Sequence, residues 1–313
     1  MIDIVARSEA MSEAVRLADR VAATDANVLV TGESGAGKDA LAFYIHSKSA
    51  RAAQLFVKID CATLPSGLLE AELFGYERGA FTGAGEEKPG RLEASHRGTL
   101  VLDEIAYLST DSQAKLLRVI ETREFERLGG RKVIKVDARL IALTNVDLTD
   151  AVKRQQFRED LYYRLHVVHI KVPPLRERAE DLAELAQAFA SSYAAKHGRP
   201  VSAVSAEALS LLSDYEFPGN VRELANTLER AVIVSTGKRI EADDLPDSVR
   251  AAVKLQRRRE RPQSLAEVEA EYVAEILAST KGNKTEAARI LGISRKNLYE
   301  KLARQKKGMK DEG

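Results

Sequence analysis

Short runs of β-branched and other apolar residues recur along the first half of the chain, and segments with a helical spacing of apolar positions separate them. The runs cover residues 27–31, 56–60, 99–103, 139–144 and 167–172. The helical patterns include residues 38–47 and 112–121. Strands that alternate with helices are typical of parallel sheets covered on both faces, so the pattern predicts an α/β fold.

The β signal stops after Pro173 and Pro174, and residues 178–250 are predicted to form helices only. Two apolar stripes with helical spacing lie in this segment, one formed by Leu182, Leu185, Ala186 and Phe189 and the other by Leu224, Leu228, Ala231 and Val232. We therefore expect an α/β body over residues 1–176 and an all-α lid over residues 177–250.

Residues 251–263 have no clean apolar face and include Pro262, so they are predicted to be a linker. A last, all-α unit is expected over residues 264–313. Its first helix would begin with Ser264 as the N-cap, and Glu267 would complete a capping box.

Three helices are expected in this unit, over residues 264–279, 284–291 and 294–304. Gly282 and Asn283 separate the first two helices, and a short turn separates the last two. The small core is expected to contain Val268, Ile276, Leu277, Ala288, Leu291, Ile293, Leu298 and Leu302.

The net charge of the 313-residue chain is +1, but the charge is unevenly distributed. Residues 250–313 carry 16 basic and 9 acidic side chains, a net of +7, whereas residues 1–249 carry 32 and 38, a net of −6. A basic end on an acidic body favours contact between that end and a polyanion. The alternative on charge alone is a solvated tail that binds nothing.

Composition excludes two classes of protein. No run of apolar residues approaches the length of a transmembrane helix. The first 15 residues contain Asp3, Glu9 and Glu13 and no apolar core, so they do not resemble a secretory signal. The single cysteine, Cys61, allows no internal disulfide, and we expect a protein of the reducing cytoplasm without a membrane partner.

A glycine-rich segment follows the first predicted strand and leads into a helix. It has the pattern G-x-x-x-x-G-K and consists of Gly32, Glu33, Ser34, Gly35, Ala36, Gly37 and Lys38, with Asp39 next. Backbone N–H groups in such a loop surround phosphates, and the lysine reaches the β- and γ-phosphates. The segment therefore predicts a nucleotide triphosphate site with ATP and Mg²⁺ as cofactors.

Two acidic residues stand at the end of a later predicted strand, where a nucleotide site needs carboxylates. Asp103 is expected to hold Mg²⁺, through water, and Glu104 to orient and polarise the attacking water. Another strand ends before Asn145, which could sense the γ-phosphate or simply form a turn.

A further motif follows the stretch from Glu72 to Arg78 and consists of Gly79, Ala80, Phe81, Thr82, Gly83 and Ala84. With this distinguishing motif, the chain resembles the bacterial enhancer-binding proteins, the AAA+ activators of sigma-54 RNA polymerase. The residues alone indicate a mobile apolar tip between glycines, either a binding element or an ordinary surface turn. The resemblance implies a loop that contacts sigma-54 during nucleotide turnover.

Other segments extend the resemblance from about Ser8 to Leu302. The segment containing Arg158 and Arg164 is similar to the arginine-finger segment of the family, which implies contacts with the nucleotide of a neighbouring subunit. Arg222 stands in a segment similar to the lid motif, as a phosphate sensor within the same chain. The end of the chain resembles a Fis-type helix-turn-helix, which implies DNA binding as a dimer.

Some features depart from the usual family pattern. We expect no sensory domain before residue 8, and the resemblance then implies control by a separate protein or by the protein's own abundance, as in some members of the family that lack this domain. Asp39 replaces the usual Glu, Phe217 the usual Trp, and Asp60 the commonest Asn. An Asp60 carboxylate would repel Glu104, whereas the family's asparagine donates a hydrogen bond to it.

A helix-turn-helix places the start of its second helix in the major groove. Here the candidates are Ser294, Arg295, Lys296 and Asn297, followed by Lys301 one turn later. Arginine and lysine suit guanine, and asparagine suits adenine. The alternative is a helical dimerisation unit with a basic face.

These features predict an ATP-dependent activator that binds an upstream DNA site, assembles into a ring, expected to be a hexamer, and opens promoters with sigma-54 RNA polymerase. One alternative is an AAA+ remodeler or chaperone of another target. The other is a repressor or classical regulator that binds DNA and uses ATP weakly or not at all. The intact loop at Gly79–Ala84 disfavours the first alternative. Lys38, Asp103, Glu104 and the two arginines disfavour the second.

Overall fold

The computed structural model describes residues 4–260, 265–280 and 282–302. The chain divides into two compact units, residues 1–249 and residues 250–313, and each is described by itself. Among the described residues, no helix combines the length and the apolar character needed to cross a bilayer.

The strands are short and fall mainly in the first unit. In chain order they are β1 (Val28–Thr31), β2 (Phe56–Asp60), β3 (Gly75–Tyr76), β4 (Lys88–Pro89), β5 (Thr99–Asp103), β6 (Glu124–Glu126), β7 (Val133–Lys135), β8 (Arg139–Thr144), β9 (Val168–Lys171), β10 (Ala203–Val204) and β11 (Arg239–Ile240).

The helices lie in both units. In chain order they are α1 (Glu9–Ala22), α2 (Lys38–Ser47), α3 (Ser66–Phe74), α4 (Arg91–Ala94), α5 (Thr110–Thr122), α6 (Leu148–Lys153), α7 (Glu159–Leu165), α8 (Ala179–His197), α9 (Ala206–Ser213), α10 (Asn220–Val234), α11 (Asp247–Glu260), α12 (Leu265–Ser279) and α13 (Lys284–Ile290). Short 3-10 helices cover Ile105–Tyr107, Leu175–Glu177 and Ala242–Asp244, and residues 295–302 are helical.

The main sheet has the strand order β2-β5-β8-β1-β9, and all its neighbouring strands are parallel. Successive side chains of β5 alternate between two hydrophobic clusters, with Leu100 and Leu102 in one and Val101 in the other. Helices therefore cover both faces, and the predicted α/β fold is confirmed. Each of the five strands begins and ends within one residue of its predicted run.

The strand order brings three strand ends together. β8 lies between β1 and β5, so the segments that follow these three strands leave the sheet side by side at its carboxyl edge. These segments are the glycine-rich loop after Thr31, the acids Asp103 and Glu104, and the turn at Asn145. Ligands of open parallel sheets bind at this edge.

The lid packs α8, α9 and α10 around one apolar cluster. Both predicted stripes contribute to it, and Leu224, Leu228, Ala231 and Val232 are fully buried. The prediction that residues 178–250 form helices only is wrong, because β10 and β11 pair in parallel, with Val204 opposite Ile240. Two residues per strand are too few for an alternating pattern to show in the sequence.

Two hairpins extend from the body, and the sequence patterns did not predict them. One pairs β3 with β4 and the other pairs β6 with β7. The two hairpins contact each other where the N–H of Glu77 donates to the carbonyl of Leu128, in the turn between β6 and β7, over 3.0 Å. The segment from Glu77 to Glu87 therefore forms the tip of the first hairpin.

The second unit has a small core in which Val273, Ala287, Ala288 and Leu298 are buried and the other expected core residues except Val268 are partly buried. Val268 is wrongly predicted as core, because it is 44% exposed. It lies one helical turn from Tyr272, which is also exposed, and about 140° around the helix from the buried Val273.

The expected linker is helical as far as Glu260, within α11. The remainder of that linker and Ser264 lie outside the described residues, as does the side chain of Glu267, so the expected capping box is not described.

Candidate functional site

The glycine-rich loop connects β1 to α2 and passes beneath the lid. Gly35 has φ = +75°, a left-handed conformation that favours glycine. A Cβ at this position would lie 2.4 Å from the carbonyl oxygen of Gly219 in the lid. Glycine at position 35 therefore permits both the turn and the close approach of the lid.

Lys38 begins α2 and is 6% exposed. Its Nζ donates to the carbonyl oxygens of Gly32 (2.8 Å) and Glu33 (3.2 Å), and it lies 3.7 Å from Oε1 of Glu104. The ammonium group is thus held inside the glycine-rich loop, and its role towards phosphates stays a prediction.

Glu104 directly follows β5 and adopts a left-handed backbone conformation with φ = 53°. Such conformations in non-glycine residues are uncommon and concentrate at functional sites. Its Oε2 accepts a hydrogen bond of 3.1 Å from the backbone N–H of Asn145. The structure therefore brings Lys38, Glu104 and Asn145 together, and Asn145 contacts Glu104 through its backbone.

Asp103 makes an ion pair that the sequence patterns did not predict. Its Oδ2 lies 2.7 Å from Nζ of Lys58, and the same nitrogen lies 2.5 Å from Oδ1 of Asp39. Carboxylate oxygens from two different elements thus converge on one cation. This donor set fits the expected Mg²⁺, which prefers carboxylate oxygens.

Asp60 pairs with Asp103 in the β2–β5 register, but its side chain is engaged elsewhere. Its Oδ1 accepts a hydrogen bond of 2.9 Å from the N–H of Ala62. The next residue, Cys61, is 2% exposed, and burial raises the pKa of its thiol to about 12, helped by the charge of Asp60. The thiol therefore stays protonated at neutral pH and packs as a small apolar group.

The lid side of the site contains further polar residues that sequence reasoning missed. Arg176 pairs with Glu33 at 2.5 Å, and the amide of Asn220 donates to Glu33 over 3.0 Å. These hydrogen bonds, that of Arg176 first, lower the pKa of Glu33 to about 2. The guanidinium of Arg222 donates to Oγ of Ser34 over 2.9 Å, so this lid residue contacts the glycine-rich loop.

A cavity of about 250 Å³ lies between the loop, the acids and the lid. Its lining includes most of the predicted nucleotide residues: Ser34, Gly35, Gly37, Lys38, Asp39, Asp103, Glu104 and Arg222, together with Phe189, Val221 and Ala225. A larger cavity of about 530 Å³ is lined by Tyr76 and Phe81 but by no residue of the glycine-rich loop. The smaller cavity is therefore the candidate nucleotide site.

Arg158 and Arg164 do not line this cavity. The guanidinium of Arg158 lies 2.7 Å from Asp160, and that of Arg164 lies 3.0 Å from Glu121. The carbonyl of Arg164 accepts a hydrogen bond from Asn27, at the amino end of β1, whereas the cavity lies at the carboxyl end. The structure thus does not bring Arg164 to the cavity of its own chain.

The segment from Gly79 to Ala84 forms a turn at the tip of the first hairpin. The N–H of Gly79 donates to the carbonyl of Ala84 over 2.8 Å, and Thr82 is exposed. The ring of Phe81 is 42% exposed and packs edge-on against Tyr76, with ring centroids 4.9 Å apart. The tip therefore presents an apolar ring and a hydroxyl to solvent.

Arg127, on the second hairpin, connects this tip to the body. Its guanidinium lies 2.7 Å from Glu93, 3.3 Å from Glu77 and 3.2 Å from Glu87. The hydrogen bond with Glu93, first, and the charges of the three acids raise its pKa well above the usual value. The base of the tip is therefore fixed although its end is exposed.

In the second unit, the candidate DNA-reading residues Ser294, Arg295, Lys296 and Asn297 are exposed. The hydroxyl of Ser294 accepts a hydrogen bond from the N–H of Asn297 over 3.2 Å, as an N-cap does. Lys301 forms an ion pair with Glu269 on α12 and is less exposed than the other four.

Comparison with known proteins covers nearly the whole chain. The family described as "Sigma-54 interaction domain" matches residues 4–171, the "AAA+ ATPase lid domain" matches 176–262, and "Bacterial regulatory protein, Fis family" matches 264–304. The chain is 45% identical over 315 residues to the transcriptional regulatory protein FlbD of Caulobacter vibrioides, covering 96% of this chain and 69% of that protein. It is also 45% identical over 307 residues to the regulatory protein AtoC of Escherichia coli, covering 96% of this chain and 67% of that protein.

A solved structure shows the same fold. NtrX from Brucella abortus, in complex with ATP, has a TM-score of 0.71 and 36% sequence identity, over 97% of this chain and 69% of that one. NtrX was also solved in complex with ADP, with a TM-score of 0.71 and 35% identity to this chain.

Proposed function

Since this chain belongs to the sigma-54-dependent AAA+ transcriptional activators, we propose that it hydrolyses ATP to convert closed sigma-54 RNA polymerase complexes into open ones. The observation that carries the proposal is the exposed pair Phe81 and Thr82 on a hairpin of the same unit that holds the nucleotide cavity. An enzyme that only hydrolysed ATP would have no need of such a tip.

ATP binds in the cavity of about 250 Å³. The N–H groups of the loop from Gly32 to Gly37 and the start of α2 surround the phosphates, and Lys38 contacts the β- and γ-phosphates. Arg222 reaches the phosphates from the lid, since it already contacts Ser34 of the loop. Mg²⁺ would neutralise phosphate charge, with Asp103 and Asp39 as the residues that hold it.

Glu104 polarises and orients the attacking water. Its carboxylate is positioned by the N–H of Asn145 and lies next to Lys38. This arrangement allows Asn145 to report the state of the γ-phosphate indirectly, through the carboxylate that it holds.

Hydrolysis does work on a partner only if the contact with that partner differs between nucleotide states. Strand β2 contacts both the acids of the nucleotide cavity and the surroundings of the hairpin tip. Lys58 and Asp60 of this strand line the larger cavity together with Phe81, and Lys58 also contacts Asp103. Movement at the acids can therefore reach the hairpin tip across one strand, and the tip then binds or releases sigma-54.

We place Arg158 and Arg164 in a ring, expected to be hexameric, where they reach the nucleotide of a neighbouring subunit. Arg164 is exposed, Arg158 is half-buried, and neither lines the cavity of its own chain, which supports action across a subunit boundary. An arginine supplied in this way stabilises charge in the transition state for phosphoryl transfer.

The trans role predicts complementation between two inactive chains. A chain with Arg164→Ala should bind ATP but hydrolyse it poorly, because the site is intact and the finger is absent. Mixed one-to-one with Lys38→Ala chains, it should recover about a quarter of the parental rate, the share of boundaries that join an intact site to an intact finger. The measurement is steady-state hydrolysis at ring-forming concentrations.

The control mixes Arg164→Ala chains with chains that carry both substitutions, which supply neither a site nor a finger. This mixture should show no recovery. Equal rates in both mixtures would contradict a contact across subunits.

The second unit binds the upstream DNA site as a dimer. The exposed residues from Ser294 to Asn297 read bases in the major groove, and Lys301 contributes from the next turn. Val268 and Tyr272 form an exposed apolar pair on α12, which supports pairing of this helix with a second copy.

Base reading by Arg295 predicts a loss confined to the specific site. Arg295→Ala should weaken binding there by about 1–3 kcal/mol and leave binding to random DNA nearly unchanged. The matched control is Arg289→Ala, since Arg289 pairs with Glu286 on the preceding helix and should not change the preference between the two DNAs. The measurement is titration of each protein with both DNAs at one salt concentration. Equal losses of affinity for the two DNAs in Arg295→Ala would show that Arg295 contacts only phosphates.

The proposed function is tested with purified components: this chain, sigma-54 RNA polymerase and a promoter with an upstream site. The expected result is promoter opening that requires ATP and is absent with ADP. A chain that hydrolyses ATP yet never engages sigma-54 would instead be a remodeler of another target.

A further inference from the structure

Lys58 occupies an unusual position for a lysine. It lies in a strand of the main sheet, its side chain is 35% exposed, and its Nζ contacts two carboxylates from different elements. One is Asp39 in the first turn of α2, at 2.5 Å, and the other is Asp103 at the end of β5, at 2.7 Å. Both carboxylates belong to the nucleotide cavity.

The ammonium group of Lys58 is held by both carboxylates. Its Nζ lies within 2.7 Å of an oxygen of each, and two such anionic partners favour the charged form of a lysine. A cation therefore lies where the two carboxylates converge.

A divalent cation bound with ATP would need the same oxygens. In the proposed function Asp103 and Asp39 would hold Mg²⁺, and each of these carboxylates already directs one oxygen at Nζ of Lys58. Two cations cannot share this position, because their mutual repulsion at such short range is strong in a partly buried site.

The geometry points to Lys58 as a tethered cation that competes with the divalent metal for Asp39 and Asp103, so that binding of the metal–nucleotide complex must displace it. This inference rests on the proposed ATPase function. The displaced side chain has room, since Lys58 also lines the cavity of about 530 Å³, together with the carboxylate of Asp60. Phe81 lines the same cavity, so metal binding that displaces Lys58 would change the surroundings of the hairpin tip.

The test measures metal binding directly, with Mn²⁺ as the probe, because it shares the oxygen preference of Mg²⁺ and its free form is visible by electron paramagnetic resonance. The full chain is titrated with Mn²⁺, with and without ADP. Lys58→Met should bind Mn²⁺ about three- to tenfold more tightly than the parent, since two partly exposed ion pairs no longer oppose the metal. The control, Lys58→Arg, keeps the charge and should stay close to the parent.

A second single variant and a double variant distinguish loss of competition from a general change in the fold. Lys58→Gln is measured beside Lys58→Met, and thermal melts show which variants are folded. In a chain that already carries Asp39→Asn, the gain from Lys58→Met should shrink, because one shared carboxylate is absent. Mn²⁺ affinity that is unchanged or weaker in the folded Lys58→Met and Lys58→Gln chains would overturn the inference.

ADP binding in EDTA separates this inference from the proposed function. A parent chain that binds no ADP would contradict the ATPase proposal, while a gain in Mn²⁺ affinity without nucleotide would still support competition by Lys58. Normal ADP binding with no gain in Mn²⁺ affinity would remove the role of Lys58 alone.

Discussion

A chain that carries Glu104→Gln should bind ATP about as tightly as the parent and hydrolyse it roughly 10²- to 10⁴-fold more slowly. The amide keeps the shape of the carboxylate and can still accept the hydrogen bond from the N–H of Asn145. It has no negative charge with which to polarise water or to take up a proton. Loss of turnover without loss of binding is therefore the expected signature.

Two comparison chains sharpen this result. Lys38→Ala should lose tight ATP binding itself, because the β- and γ-phosphates lose their cationic partner in a buried loop. Glu207→Gln removes an exposed carboxylate from the first turn of α9 and should match the parent in both measurements. Nucleotide titration and steady-state hydrolysis on all three chains separate binding from chemistry. Normal turnover by Glu104→Gln would remove Glu104 from its assigned role.

Much of the nucleotide site was predictable because its signals are local. The loop from Gly32 to Lys38 joins a strand to a helix within one short segment, and the acids Asp103 and Glu104 directly follow a strongly apolar strand. In a parallel sheet, such strand ends meet at one edge, so the sequence pattern alone places these groups together. The structure brings Lys38 within 3.7 Å of Glu104.

The residues that sequence reasoning missed make contacts over long separations. Lys58 reaches Asp103 because β2 lies beside β5, and no local pattern specifies which strands are neighbours. Arg176 contacts Glu33 across 143 positions, through the docking of the lid on the loop. A charged residue in a strand or after a proline is ordinary by itself, so only the tertiary fold reveals its partner.

The hairpin that carries the tip could not be predicted from the sequence for a different reason. β3 and β4 have two residues each, which is too short for any periodic signal, and Gly75 and Glu77 make backbone hydrogen bonds with the distant Leu128 of the second hairpin. The sequence indicated an exposed tip between Gly79 and Gly83, and the structure adds its support: the ring of Tyr76 beneath Phe81 and the ion pairs of Arg127.

This support makes Thr82→Ala the sharpest test of how hydrolysis is coupled to promoter opening. The substitution should reduce ATP-dependent opening of a sigma-54 promoter to the level seen without ATP, with hydrolysis kept within about twofold of the parent. Thr82 is exposed, while the nucleotide cavity is lined by other segments, so removal of its hydroxyl and methyl leaves the chemistry intact. Phe81 keeps its contact with Tyr76, so the tip keeps its shape.

The expected loss of promoter opening follows from how ATP hydrolysis can act on a partner protein. In the proposed function, events at Lys38, Asp103 and Glu104 would change only the relative stability of two conformations. That difference would act on sigma-54 solely through a contact whose strength changes between them. Hydrolysis and promoter opening are therefore measured on one preparation, with Thr236→Ala, an exposed lid threonine, as the control that should retain both. If Thr82→Ala opens promoters as well as the parent, the tip is not the contact that transmits hydrolysis, and sigma-54 must be engaged through another surface.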